Sequence, residues 1–167
     1  MNNFKKILFP VDFSKVSPVI APWVLTIAEK FKAEIHLLFV VRRLGHLSGM
    51  EVPEMSINAF EAEIIKAGEN QMEKFVNEYF GGYPDIKPTV VVGDAAEEIL
   101  NYIKTKKIDL VVMGTHGRKG LDRIFFGSVA NTVIKEAQAP VMSINPYRIP
   151  SLKIEMNTLE DQTHDEY

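Results

Sequence analysis

"VVMGTHGRKGLDRIFFGSVANTVI" (residues 111–134) runs from an apolar stretch through a glycine-punctuated turn into a helical pattern. Val111, Val112 and Met113 close on Gly114, and Gly117 and Gly120 follow. Gly127 and Ser128 stand where the helical spacing of Val129, Thr132, Val133 and Ala137 begins. A short apolar run without alternation suits a strand buried on both faces, as in a parallel sheet. The stretch therefore predicts a strand, a turn rich in backbone freedom, and a helix starting at about Ser128.

Units of the same kind recur along the chain. "KKILFPVD" (5–12), "EIHLLFVV" (34–41), "PTVVVG" (88–93), "DLVVMG" (109–114) and "APVMSIN" (139–145) are five short apolar runs bounded by polar or turn residues. Helical patterns separate them. In 17–32, Val19, Ile20, Trp23, Val24, Ile27, Ala28 and Phe31 form one apolar side, with Ser17 as a cap, Pro18 as the first helical residue, and a late start or kink expected at Pro22. In 58–80, Phe60, Ile64, Ala67, Met72, Phe75 and Tyr79 do the same, with Asn58 and Glu61 as a capping box and Gly81–Gly82 as the stop. Asp94 with Glu97 repeats the box ahead of 95–107. Strict alternation of strand and helix argues for an α/β fold with a parallel sheet and right-handed crossovers. The irregular stretch 42–57 predicts a long surface loop.

The bulk composition narrows the function classes. The 167 residues suit one domain, at 46% hydrophobic and 25% charged. With no cysteine there are no disulfides or thiolate metal sites, which fits a reducing cytoplasm. The start, "MNNFKKILFPVDFS", has too short an apolar run for a signal peptide, and no run approaches a membrane span. The net charge of −3 hides an acidic end: Glu155, Glu160, Asp161, Asp165 and Glu166 fall in 154–167 without a Lys or Arg. The expected division is a domain over 1–150 and an acidic extension over 151–167. The body is near neutral, so no charge argument supports nucleic-acid binding.

In open α/β sheets ligands sit beyond the carboxyl ends of the strands, where strand order reverses. Gly114 ends the fourth strand and Asp12 the first, so both reach one crevice if those strands are neighbours. Glycine lets backbone N–H groups approach an anion closely, and a helix N-terminus adds free donors and a favourable dipole. Gly114, Gly117, Gly127 and Ser128 are the cradle candidates. Ser128 either caps its helix or turns its hydroxyl to phosphate. Arg118, Lys119 and Arg123 either neutralise phosphate or face solvent. The P-loop, the G-x-G-x-x-G fingerprint and the G-x-S-x-G elbow are all absent.

These residues resemble the universal stress protein family, whose ATP-binding members carry Gly-x-x-Gly, nine residues, then Gly-Ser or Gly-Thr. Here the pattern reads Gly114-Thr115-His116-Gly117, nine residues to Phe126, then Gly127-Ser128. "ILFPVDFS", "LLFVV", "GDAAEEIL" and "APVMSI" resemble further family segments in the expected order, over about 4–147. The resemblance implies a three-layer α/β/α sandwich, Rossmann-like and akin to the adenine nucleotide alpha hydrolases, with a five-stranded parallel sheet in order 3-2-1-4-5. It implies an ATP site (or one for ADP or AMP) with Mg²⁺ or Mn²⁺. Asp12 would meet the ribose or adenine side and the Val40 backbone the adenine. Gly114, Gly117, Gly127 and Ser128 would hold phosphates, flanked by Pro10, Val11, Met113, Arg118 and Val129. It also implies a homodimer through the last strand at about 140–145, in a cytoplasmic stress-response module without nucleic-acid or membrane partners. The alternatives are a nucleotide-independent interaction or chaperone-like protein, and a slow ATPase for which Asp12 and His116 are the nearby polar groups. No residue is assigned a catalytic role.

Overall fold

The computed structural model describes residues 3–42, 54–115 and 127–149. Nine elements follow one another there: β1 (Lys6–Val11), α1 (Val16–Phe31), β2 (Glu34–Arg42), α2 (Glu54–Tyr79), β3 (Ile86–Gly93), α3 (Ala95–Lys106), β4 (Leu110–Gly114), α4 (Ser128–Glu136) and β5 (Val141–Ile144). The strands make one sheet in the order β3-β2-β1-β4-β5, and all four pairings are parallel.

Alternation along each strand splits the core into two layers. Ile7, Phe9 and Val11 of β1, with Ile35, Leu37 and Phe39 of β2, face α1 and α2. Leu8, Leu38, Val111 and Met113 face α3 and α4. The chain winds outward from β1 to β3 over one face, then returns to wind from β4 to β5 over the other. The helices change face because right-handed crossovers change direction at the β1–β4 pair.

The helix signals met mixed outcomes. Asp94 caps α3 as expected, accepting from the N–H groups of Ala96 (2.9 Å) and Glu97 (3.2 Å). Gly82, just beyond α2, has φ of +101°, a conformation glycine adopts at little cost. The expected Ser17 cap is not formed: α1 already begins at Val16 and runs through Pro22 to Phe31. Its Ser17 hydroxyl turns instead to the carboxylate of Asp12. Nor does Asn58 start a helix, since α2 extends back to Glu54 and Asn58 falls inside it. Residues 54–57 are thus helical rather than loop, and 43–53 lie outside the described residues. Trp23 (41% exposed) and Phe60 (48%) were expected on buried faces and are not. In α2 the buried side runs through Gly68, Met72 and Phe75.

Candidate functional site

The carboxyl end of the sheet carries every sequence-predicted site residue that falls within the described regions. Pro10 and Val11 end β1, and Asp12 follows them; Val40 is near the end of β2; Met113 and Gly114 end β4. Gly127, Ser128 and Val129 open α4. Gly117 and Arg118 lie outside the described residues, as do His116, Lys119, Gly120 and Arg123. β1 and β4 pair through Ile7↔Leu110 and Leu8↔Val111, and the ladder stops there. The strand ends bearing Pro10–Asp12 and Met113–Gly114 therefore flank the point where strand order reverses.

Asp12 is built into its loop. Its Oδ1 accepts from the Ser14 N–H (3.0 Å) and from the Ser17 hydroxyl (3.0 Å), and the Asp12 N–H points back to Ser17 Oγ (3.4 Å). Ser14 Oγ in turn accepts from the Val16 N–H at the start of α1 (3.3 Å). An aspartate bonded two residues on makes an Asx turn, so the "DFS" sequence carries a readable signal for this half of the network. The Ser17 contribution came from the first turn of a helix and had no such signal.

The flanks of the glycine stretch are stapled together. Thr115, buried at the end of β4, donates its N–H to the Ile144 carbonyl (2.9 Å), and its own carbonyl accepts from the Gly127 N–H (2.8 Å). Gly127 is the N-cap residue of α4, and its carbonyl accepts from the Asn131 N–H (2.9 Å). That leaves the N–H groups of Ser128, Val129 and Ala130 as first-turn donors without an intrahelical acceptor. Among the described residues no side chain caps this end, and the first turn holds no acidic residue. The contrast with α3 on the same face is direct: there Asp94 caps and Glu97 and Glu98 sit in the first turn. Ser128 is therefore not the cap. It is exposed at the first helical position.

Gly127 has backbone angles (φ −54°, ψ 150°) that any residue adopts. Among the described residues, a Cβ added there would meet only the Thr115 carbonyl oxygen, at an ordinary 3.6 Å. At Gly93 the added atom would meet the Glu98 carboxylate at 2.6 Å, and at Gly81 the Asn77 carbonyl at 2.6 Å. The Gly81 contact is with backbone, so that glycine answers to the fold, whereas no described neighbour crowds Gly127.

Two recesses lie elsewhere. One of about 460 Å³ sits at the ends of β2 and β3 among Arg42, Gly93, Asp94, Glu97 and Glu98, an acidic lining unsuited to phosphate. The other, about 240 Å³, lies between α2 and β3. Among the described residues no group of three His, Asp or Glu side chains could hold a metal ion, and no helix is long and apolar enough to cross a membrane.

A five-stranded parallel sheet with helices on both faces and a reversal at β1–β4 defines the doubly wound α/β class, whose ligands enter at the switch point. Within that class the chain belongs to the universal stress protein family, whose sequence profile matches residues 3–145. It is 35% identical over 143 residues to universal stress protein MJ0531 of Methanocaldococcus jannaschii, spanning 86% of this chain and 83% of that protein. The solved structure of MJ0577, from the same organism, superposes with a TM-score of 0.76 at 28% identity, covering 86% of this chain and 97% of that one. A universal stress protein family protein from Arabidopsis thaliana, solved with AMP bound, shares the fold at 22% identity (TM-score 0.58; 84% and 91% coverage).

Proposed function

We infer that this protein is an adenine-nucleotide-binding universal stress protein, an ATP-dependent regulatory module whose phosphates rest on the N-terminus of α4. The observation that carries the reading is the pairing of an α4 start that is uncapped and acid-free among the described residues with a glycine, Gly127, that no described neighbour crowds. Free N–H donors at the positive end of a helix attract anions, and a residue without Cβ lets the anion approach the backbone. Ser128 adds a hydroxyl at the rim and Val129 a further N–H. Gly114 borders the cradle from the end of β4, and Gly117 and Arg118, outside the described residues, are its further candidates by sequence spacing. Asp12, with Pro10 and Val11, takes the ribose or adenine side, and Met113 and the Val40 backbone border the base. The AMP bound by the Arabidopsis relative agrees with this ligand class. Mg²⁺ or Mn²⁺ would come with the phosphates and keep its waters rather than enter a protein cage. The module would act in the cytoplasm.

Calorimetry with Mg-ATP and with AMP tests the reading. Binding in the micromolar to millimolar range is expected, and no heat at millimolar nucleotide ends it. Gly127→Val is expected to abolish binding while leaving the circular dichroism spectrum and cooperative unfolding intact. A Gly127→Val protein that binds normally removes α4 from the site.

A further inference from the structure

Three non-glycine residues have positive φ among the described residues: Phe13 (+55°), Lys32 (+52°) and Lys107 (+54°). Lys32 and Lys107 are the C-caps of α1 and α3, where a left-handed residue closes the helix with a backbone bond. Phe13 closes no helix. It joins β1 to α1 directly after Asp12, and a bulky aromatic in the left-handed region is a genuine outlier. Such outliers persist only where the surroundings over-determine them.

The surroundings here are aromatic. The Phe13 ring lies 4.6 Å from that of Phe39 and makes an edge contact with Phe75 at 5.8 Å. Phe75 continues the cluster to Tyr79 at 4.8 Å and Phe80 at 6.0 Å. Phe39 stands on β2 one residue before Val40, and its place is kept open by α2. A Cβ added to Gly68 would come within 3.1 Å of the Phe39 ring, so a mid-helix glycine, unfavourable on propensity, makes room for it. The chain of contact runs from Gly68 of α2 through Phe39 to Phe13. From there the backbone delivers the Ser14 N–H to Asp12 Oδ1.

We propose that Phe13, clamped in the left-handed conformation by Phe39 and Phe75, is a positioning residue that pre-sets the Asp12 carboxylate for the nucleotide. The inference rests on the adenine-nucleotide reading for its ligand, though not for its geometry. Ring packing offsets the backbone strain, so the loop already has the bound shape and binding orders less of it.

The test compares Phe13→Ala with Phe13→Gly. Alanine removes the clamp but keeps the Cβ that disfavours positive φ, whereas glycine removes the clamp and makes positive φ easy. AMP affinity by calorimetry is expected to fall about tenfold or more in Phe13→Ala, and by markedly less in Phe13→Gly. A role in packing alone gives the opposite order, because glycine deletes more. Amide exchange of Ser14 in the nucleotide-free protein is the second readout: about tenfold faster in Phe13→Ala, and closer to wild type in Phe13→Gly. Equal affinity and equal Ser14 exchange in Phe13→Ala and wild type overturn the proposal, as does an affinity in Phe13→Gly at or below that of Phe13→Ala. If Phe13→Ala does not fold, Phe13→Gly against Phe13→Leu gives the same contrast, with leucine expected to bind more weakly than glycine. Wild-type protein that binds neither AMP nor ATP defeats the nucleotide reading and the ligand half of this one, while Ser14 exchange still decides the geometry.

Discussion

Single residues at the two ends of the sheet play different parts. At the carboxyl end, Gly127 and Phe13 stand out at the proposed site by conflict with local expectation: one is a glycine that no described neighbour crowds, the other an aromatic in a conformation that suits glycine. At the opposite end, His36 is buried, with Nδ1 2.9 Å from the Tyr102 hydroxyl, which also lies 3.2 Å from Thr89 Oγ1. The Glu34 carboxylate lies against Nε2 on the other side of the ring. Burial pushes the His36 pKa below its usual 6.5; Glu34 opposes the shift, while Lys6 and Lys106 add to it. A depressed folded pKa means that the unfolded chain takes the proton first as pH falls. Stability is therefore complete above about pH 6.5 and is lost below it, down to the folded pKa. Urea unfolding at pH 7.5 and 5.5 should show this loss, and His36→Gln should reduce it. Glu34→Gln should steepen it, because it removes the group that raises the pKa.

The helices differ chiefly in how their first turns are satisfied. α3 has its own capping carboxylate, α1 is met by Ser14, and α4 opens without a cap among the described residues. An acid at the first position of α4 should thus favour the helix and oppose the ligand at once. Ser128→Asp is expected to stabilise the protein by about 0.3–1 kcal/mol at low salt and to weaken ATP binding more than AMP binding. Thermal unfolding and calorimetry on the same sample check both signs. Elements of this kind were largely legible beforehand. Five apolar runs are the five strands, and "GD" before "AAEEIL" is a true cap. Ser17 and Asn58 misled because cap chemistry is local, while the choice of helix start was made elsewhere: Asp12 recruits Ser17 across five residues, and α2 begins a turn earlier at Glu54. The glycine spacing marked Gly114 and Gly127. The Thr115–Gly127 staple and the left-handed Phe13 left no trace in the sequence, since both depend on neighbours brought together by the fold.

At the scale of the whole molecule, β5 ends the sheet, pairing with β4 alone among the described strands. It exposes Met142 (41%), with Ile134 of the neighbouring α4 exposed to a similar degree (40%). An open strand edge with apolar side chains is a template for pairing with another copy, which is the proposed homodimer. Sedimentation should give a dimer for the wild type and a monomer for Met142→Lys, because a charge on an edge strand blocks pairing. A monomeric wild type ends that idea without touching the nucleotide site. The β1–β4 pair has a separate consequence, for the order of events during synthesis. Leu8 meets Val111, so the two walls of the crevice come from opposite ends of the domain, and the first must wait, paired only with β2, until the second exists. Long-range pairings of this kind form late because loop closure precedes their reward. A nucleotide that needs both walls has no purchase on a growing chain or on one half of the sheet. Under the proposed function it would stabilise the finished domain alone, and its occupancy would double as a report that the fold is complete.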